Sequence, residues 1–589
     1  MRFFVSVTAV CTFLLLAQSN TRAQAPAPAP APGAGDKAFE AFKGRFVEQL
    51  WKLYPGWAGS AGYHKYDDLL ILPTPAQRNT EIVFAKRYLD SVQSFVRTRL
   101  GFDNAIDGIL ISNQLRQIEW NHEKYKSHEW NPAQYNVGER IAEILNGNYA
   151  PLDKRLMSIK SQLTKIPAYY EAAKISIRNP TTEHTQLAID QNLGSVSIFE
   201  KDLVEAVNKS GLSSDDKKQM TALSERAVTA IKSYAKWLQE LKNPEPKSFR
   251  LERELYEQKF EFDIQSGYNI DQLYQKAVGR KQELHGLMTD LSRQLWPKYM
   301  GNAPKPNDSL EMIRQVIDKI SLNHTTPDSF QAAIEKQIPE LIAFVKKKNL
   351  IYLDPSKPLV VRREPDYMAG VAGASISAPG PYDKGGNTYY NVGSLSGWEA
   401  DRAESYLREY NNYTLQILNI HEAIPGHYTQ LVYSNQSPSL IKSIFGNGAM
   451  VEGWAVYTEL MMLENGYGNN NPEMWLMYYK WNLRSTGNTI LDYSVHLNNM
   501  SKEDALKFLT RECFQQQAEA EGKWRRATLT QVQLTSYFNG FMEIYDLREK
   551  VKKEKGESFD LKKFHEQFLS HGSVPVRYIE RMVLSRGKR

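Results

Sequence analysis

A chain of 589 residues with 42% hydrophobic and 24% charged side chains has an ordinary globular balance, which excludes disordered and fibrous classes. The net charge of +6 is spread over 73 basic and 67 acidic residues, too dilute a surplus to argue for nucleic acid. Of the two cysteines, Cys11 falls in a leader-like start, so a processed chain would keep only Cys513 and could form no internal disulfide.

Met1-Arg2 followed by the apolar run Phe3–Ala17 reads as a signal peptide, too short to span a bilayer comfortably. Thr21-Arg22-Ala23 supplies small residues where a signal peptidase reads, so a cut is expected after Ala23 and export to a periplasm or medium follows. Cys11 lies inside the apolar run and not at its end, which argues against a lipid anchor. Residues 24–35, an Ala-Pro repeat, read as an extended linker. No later apolar run reaches the length of a membrane span.

From residue 36 to about 350 the pattern predicts a helical region. Phe39, Phe42, Phe46, Leu50 and Leu53 recur at three- and four-residue spacing and predict a first helix ending at Tyr54-Pro55-Gly56. His64 follows in a loop and reads as structural or substrate-lining. Further helices are predicted over 78–98, 104–122, 152–179, 182–208, 213–241, 270–295, 309–323 and 329–348, with breaks at Asn179-Pro180 and Asn243-Pro244. Asn307 or Asp308 is expected to cap the seventh of these and Asp328 the eighth.

Residues 351–589 change texture. Pro358–Arg362 is a strand candidate, and Gly373–Ser377 with Asn387–Val392, flanking a turn-rich APGPYDKGG, predicts a hairpin. Then comes LNIHEAIPGHYTQLVY, with two of the eleven histidines, His421 and His427, and Glu422 beside the first. On an unbroken helix a six-residue step would set these imidazoles roughly 120° apart, unable to share a metal. Pro425 cannot continue a regular helix, because it lacks an N–H and its ring clashes with the carbonyl of His421; Gly426 tolerates distortion. Leu418 and Leu431 are out of phase by roughly 140°, and subtracting two residues brings them within about 20°. The same subtraction restores the four-residue separation of H-E-x-x-H, in which two histidines bind zinc and the glutamate acts as base. A two-residue bulge is therefore predicted. In GAMVEGWAVYTELMMLENGYG, Glu452 and Glu459 are seven apart and share one helix face within apolar surroundings. Glu452 is assigned as third ligand and Glu459 as acceptor behind a ligand histidine. Helices are also expected over 472–496, which places Asp492 and His496 on one face, and after Ser501, which opens a capping-box variant. His565 and His571 in the closing FHEQFLSHGSVPVRY read as packing.

HEAIPGH, EGWAVY, LDYSVHL, SKEDALKFL and FHEQFLSHGSVPVRYI together resemble the bacterial domain-of-unknown-function 885 family, grouped with the gluzincin-type zinc metallopeptidases. The resemblance covers nearly all of the chain after the leader. It implies one zinc ion held by His421, His427 and Glu452, Glu422 as base, and a mainly α, two-lobed metallopeptidase-like fold with a central channel and a small β hairpin beside the site. The family often carries Pro-Gly-Gln-Ala before Tyr-x-x-Gly, whereas this chain has Gln531-Val532-Gln533 before Tyr537-Phe538-Asn539-Gly540. By the same resemblance, Ser375, Tyr389 and Tyr390 on the hairpin would line substrate through a free strand edge, although a plain surface hairpin fits equally. His496, oriented by Asp492, would donate to the oxyanion, or else is an ordinary core histidine; Tyr537 and Arg526 are further candidates for that electrophilic or substrate-binding role.

The expected function is hydrolysis of peptide bonds in short or unfolded peptides by an exported zinc metallopeptidase. Its rivals are a metal-dependent hydrolase of a non-peptide amide and a metal-free helical peptide-binding protein.

Overall fold

The computed structural model describes residues 34–97, 100–364, 374–383 and 385–586. The expected leader, its cut and nearly all of the Ala-Pro segment lie outside them. The first helix begins at Ala34, just inside the expected linker, and runs to Leu53, with Phe39, Phe42, Phe46 and Leu50 on its buried face. The protein is mainly helical, with one three-stranded sheet among the described residues.

Departures from the expected helices have local causes. The single helix predicted over 152–179 is two, Leu152–Leu163 and Ile166–Ser176. Pro167 is responsible, because its ring collides with the carbonyl of Leu163, four residues back. The 182–208 segment is interrupted by a wide turn at Ile198–Asp202. Asp308 caps Ser309–Ile320 by accepting from the Leu310 N–H at 3.0 Å, but Asp328 caps nothing. It sits in a tight turn, Pro327–Ser329, whose Pro327 draws the chain into a different entry before Phe330–Lys348. Ser501 caps Lys502–Lys507 as expected. Among the described residues no helix is long and apolar enough to cross a membrane.

Strand β1 (Leu359–Arg363) joins the expected hairpin strands β2 (Ala374–Ser377) and β3 (Thr388–Val392) in the order β1-β3-β2. β3 is parallel to β1 and antiparallel to β2, with Val361 and Ile376 both opposite Tyr390. The hydrophobic core does not divide at residue 350. One cluster runs from Phe39 to Val583 and takes in both halves of the chain, while a second, from Tyr135 to Leu238, belongs to the N-terminal half alone.

The helix Gly448–Glu464 lies at the centre of the larger cluster, against Ser536–Lys555. Their backbones meet at glycine. A Cβ on Gly540 would stand 1.8 Å from the carbonyl oxygen of Ala449, and one on Gly453 2.3 Å from the Gly540 backbone. No side chain fits either point, and this contact sets Glu452 beside Tyr537.

Candidate metal centre

The helix carrying His421, Asn412–Glu422, starts with Asn411 accepting from the N–H groups of Tyr413 and Thr414. It stops at Glu422, and a second helix, His427–Asn435, begins at the second histidine. Between them the Gly426 N–H donates to the carbonyl of Ile420 at 3.0 Å, a span of six residues where a regular helix spans four. Two residues are thus looped out. A Cβ on Gly426 would fall 1.8 Å from the carbonyl oxygen of His421, so the loop closes only with glycine there. The turn is tied across to the next helix by the Trp454 indole N–H, which donates to the carbonyl of Pro425 at 2.9 Å.

The loop brings both imidazoles to one carboxylate. His427 Nε2 lies 3.4 Å and His421 Nε2 3.8 Å from Glu452 Oε2, and one ligand atom from each of the three residues lies within 4.8 Å of the others. The rings are 89° apart with centroids separated by 4.7 Å. Behind this group, His421 Nδ1 meets Glu459 Oε1 at 2.7 Å, and the same oxygen accepts from the Trp481 indole at 2.9 Å. Glu459 is wholly buried. That pair fixes the His421 ring with Nε2 turned toward Glu452.

Electrostatics follow from burial and crowding. Desolvation pushes the Glu452 carboxyl up, but the facing imidazoles of His421 and His427 outweigh it and hold the group well below the usual carboxylate range. His421 shows the converse. Burial favours the neutral ring, yet the carboxylates of Glu452 and Glu459 raise its proton affinity above the ordinary imidazole value. Glu422 is raised by burial and makes no hydrogen bond or ion pair among the described residues. A half-buried carboxyl with free lone pairs beside two imidazoles can take and return a proton.

The other predicted residues divide. Tyr537 accepts from Arg526 Nη2 at 2.8 Å, and burial followed by the nearby Glu452 charge pushes its phenol up to about 12. Both residues therefore stand beside the cluster. His496 and Asp492 do not take the expected roles. His496 is buried with Nε2 on the carbonyl of Ala527 at 3.0 Å and Nδ1 accepting from the Leu251 N–H at 3.3 Å, so neither nitrogen can reach a substrate. Asp492 accepts from the Tyr256 hydroxyl at 2.6 Å and the Val532 N–H at 3.0 Å, not from His496. The two residues pin the segment 527–532, and so position Arg526 and Tyr537. Gln531 and Val532, where the chain departs from the family pattern, hold φ of 41° and 68°, a left-handed backbone unusual for a β-branched residue that Asp492 helps to hold.

On the sheet, Tyr390 is also corrected. It is wholly buried and its hydroxyl donates to Asn419 Oδ1 at 2.7 Å, anchoring the His421 helix to β3. Tyr389 lies under the Arg362 guanidinium, 3.8 Å from the ring centroid. Ser375 stands on β2, whose outer edge pairs with no strand among the described residues, and its hydroxyl accepts from Asn391 at 3.4 Å. His64 is bound to Asp67 at 2.9 Å and stacked on Tyr149, a structural position. His565 bridges the carbonyl of Leu350 and the Tyr457 hydroxyl, each at 2.8 Å, as packing. Sequence reasoning missed Trp454 and Trp481 as holders of the site. It also missed Arg484 and Lys523, although a cation within so apolar a run as Met474–Val495 signals a partner.

The model of the family described as "Bacterial protein of unknown function (DUF885)" matches residues 55–583. The chain belongs to the DUF885 family. A solved structure of a proposed lipoprotein of unknown function from Shewanella oneidensis is 54% identical, with a TM-score of 0.84 over 93% of this chain and 99% of that one. A second solved structure with a similar fold, a proposed lipoprotein from Colwellia psychrerythraea, is 16% identical with a TM-score of 0.78 over 94% of this chain and 99% of its own. No curated protein matches the chain.

Proposed function

We propose that this DUF885 protein is a zinc-dependent hydrolase of peptide bonds. The observation that carries the reading is the convergence of His421, His427 and Glu452 on one point, with Glu459 behind the first. The donors fit zinc. Ligand atoms about 2.0–2.1 Å from a tetrahedral ion lie about 3.3 Å apart, close to the 3.4 and 3.8 Å between the imidazoles and the carboxylate. His427 Nδ1 is buried without a partner, which leaves that ring held chiefly from its Nε2 side. Three protein donors would leave a fourth position open, as in gluzincin-type enzymes.

Zinc bound there would supply Lewis acidity and lower the pKa of a bound water toward about 7. The chain's own groups account for the remainder. Glu422 takes the proton of the attacking water and returns it to the leaving amine. Tyr537, whose oxygen already accepts from Arg526, keeps its own proton to donate to the substrate carbonyl as negative charge develops there. The outer edge of β2, which pairs with no strand among the described residues, supports a peptide as substrate, since an extended backbone can pair with it. Glu452 keeps 21% of its side chain exposed, so the site opens to solvent, and the substrates assigned to it are short or unfolded peptides. Residence in a bacterial envelope or periplasm is supported by the leader-like start and by the description of two relatives as proposed lipoproteins.

The test is Glu422→Gln. The variant is expected to bind zinc like the wild type while peptide turnover falls by about 10²- to 10⁴-fold. Turnover within a factor of three of wild type removes Glu422 from the chemistry.

A further inference from the structure

Next to the metal centre stands a group of cations with too few anions. Lys523 and Arg526 project from the helix Gln517–Thr530, and Arg484 from Pro472–Leu497. Lys523 is only 5% exposed and makes neither a hydrogen bond nor an ion pair among the described residues. Its nearest charges are Arg484 and Arg526, of like sign, and Glu519 and Glu452. Arg526 Nη2 meets two neutral acceptors, Gln533 at 2.7 Å and Tyr537 at 2.8 Å. Arg484 pairs with Glu519 at 2.7 Å, but its Nη1 is buried with no partner. With Glu452 committed as a ligand, and Glu409, which also acts on Arg484, held by Lys480 at 2.8 Å, these three cations are left with one carboxylate, Glu519.

Such an arrangement is costly for a folded protein. An ammonium on a side chain so largely buried, with no paired counter-charge, is destabilising. Burial and the two guanidinium groups accordingly depress the proton affinity of Lys523. No hydrogen bond or ion pair to Lys523 among the described residues offsets that cost. The missing element is an anion, and solvent reaches this group: Arg484, Glu519 and Glu452 keep 20%, 24% and 21% of their side chains accessible.

We infer that Lys523 and Arg526 receive the α-carboxylate at the C-terminus of a peptide, so that the bond cleaved lies close to that end. The inference rests on the hydrolytic reading of the same site. A planar carboxylate matches the fork of a guanidinium, and its single negative charge suits a surplus already adjacent to Glu452 and Glu519. Of the carboxylates a peptide can bring, only the one at its C-terminus is present whatever the sequence, and a site that serves many peptides reads that group. His496 and Asp492, by pinning the segment 527–532, are positioning residues for this receptor.

Calorimetric titration of zinc-loaded Glu422→Gln protein tests the receptor without turnover. Tetra-alanine is expected to bind about 10- to 100-fold more tightly than its C-terminal amide, the range for one or two charge-assisted hydrogen bonds. Adding Lys523→Gln or Arg526→Gln should lower the affinity for the acid toward that for the amide, and Lys523→Arg should restore most of it. Lys523→Gln should also unfold at a higher temperature than its parent, whereas a lysine with a purely structural partner would be missed on heating. Equal affinity for acid and amide, or binding of neither, overturns the inference. So does an amide bearing one internal glutamate that binds as tightly as the acid, since the receptor would then read side chains. Acid-selective binding in a wild-type protein that cleaves no peptide would sink the hydrolytic reading and leave the receptor standing.

Discussion

Replacing Glu459 by glutamine changes one charge and almost no volume, at a point where the side chain is wholly buried. Oε1 receives the His421 Nδ1–H at 2.7 Å and the Trp481 N–H at 2.9 Å, and an amide oxygen can receive both. Geometry should therefore survive, and the loss is that of a charge-assisted bond turned into a neutral one. Bonds to charged groups contribute about 1.5–3 kcal/mol and neutral ones about 1, so the difference at one bond is about 0.5–2 kcal/mol. If the His421 ring owes its basicity toward a metal to that carboxylate, the zinc dissociation constant should rise about tenfold, at the lower end of effects seen for groups behind a ligand. Competition against a fluorescent zinc chelator at pH 7.5 measures this directly. A constant within twofold of wild type would refute the argument that Glu459 tunes His421, and with it the assignment of His421 Nε2 as a donor.

Gly540→Ala places a methyl group 1.8 Å from the Ala449 carbonyl oxygen, so the two helices must part; the variant should lose about 1–3 kcal/mol in urea denaturation. Gly522→Ala, in an exposed helix position with nothing within 4 Å, should instead gain about 0.5–1 kcal/mol, and a loss at both sites would mean that the close approach is not the cause. His565 supplies a pH test. Burial pushes its imidazole down to about 4 from 6.5, so between those values the unfolded chain binds a proton that the folded one refuses. Its contribution is fully present above pH 6.5 and is lost as pH falls toward 4, about 2 kcal/mol between pH 7 and 4.5. His565→Gln should flatten the pH dependence of stability by that amount, and an unchanged slope would contradict the assignment.

The sequence carried the metal centre further than it carried the rest of the site, for a physical reason. A two-residue slip in helical phase, a proline that must break the ladder and a glycine that must close the loop are local facts, and they return in the six-residue hydrogen bond from Gly426 to Ile420. Glu452 and Glu459 share a face by spacing alone, so both could turn to His421. His496 and Asp492 also share a face, but spacing does not say what lies opposite. Their partners, Ala527, Val532, Leu251 and Tyr256, come from segments distant in the chain and use up the polar atoms that an oxyanion would need. Strand alternation likewise assigns Tyr389 and Tyr390 to opposite faces without telling which face packs, and Tyr390 turned out to face Asn419. Lys523 was hidden for the same reason, since an unpaired buried cation is recognisable only when its surroundings are known.

The most direct measurement is the metal content of untagged protein after zinc loading and exhaustive dialysis, by elemental analysis, beside His427→Ala treated identically. The account predicts close to one zinc per wild-type chain and less than about a tenth of that in the variant, because removing one of three donors leaves too few to hold the ion. Equal zinc in both proteins, or none in either, would contradict it.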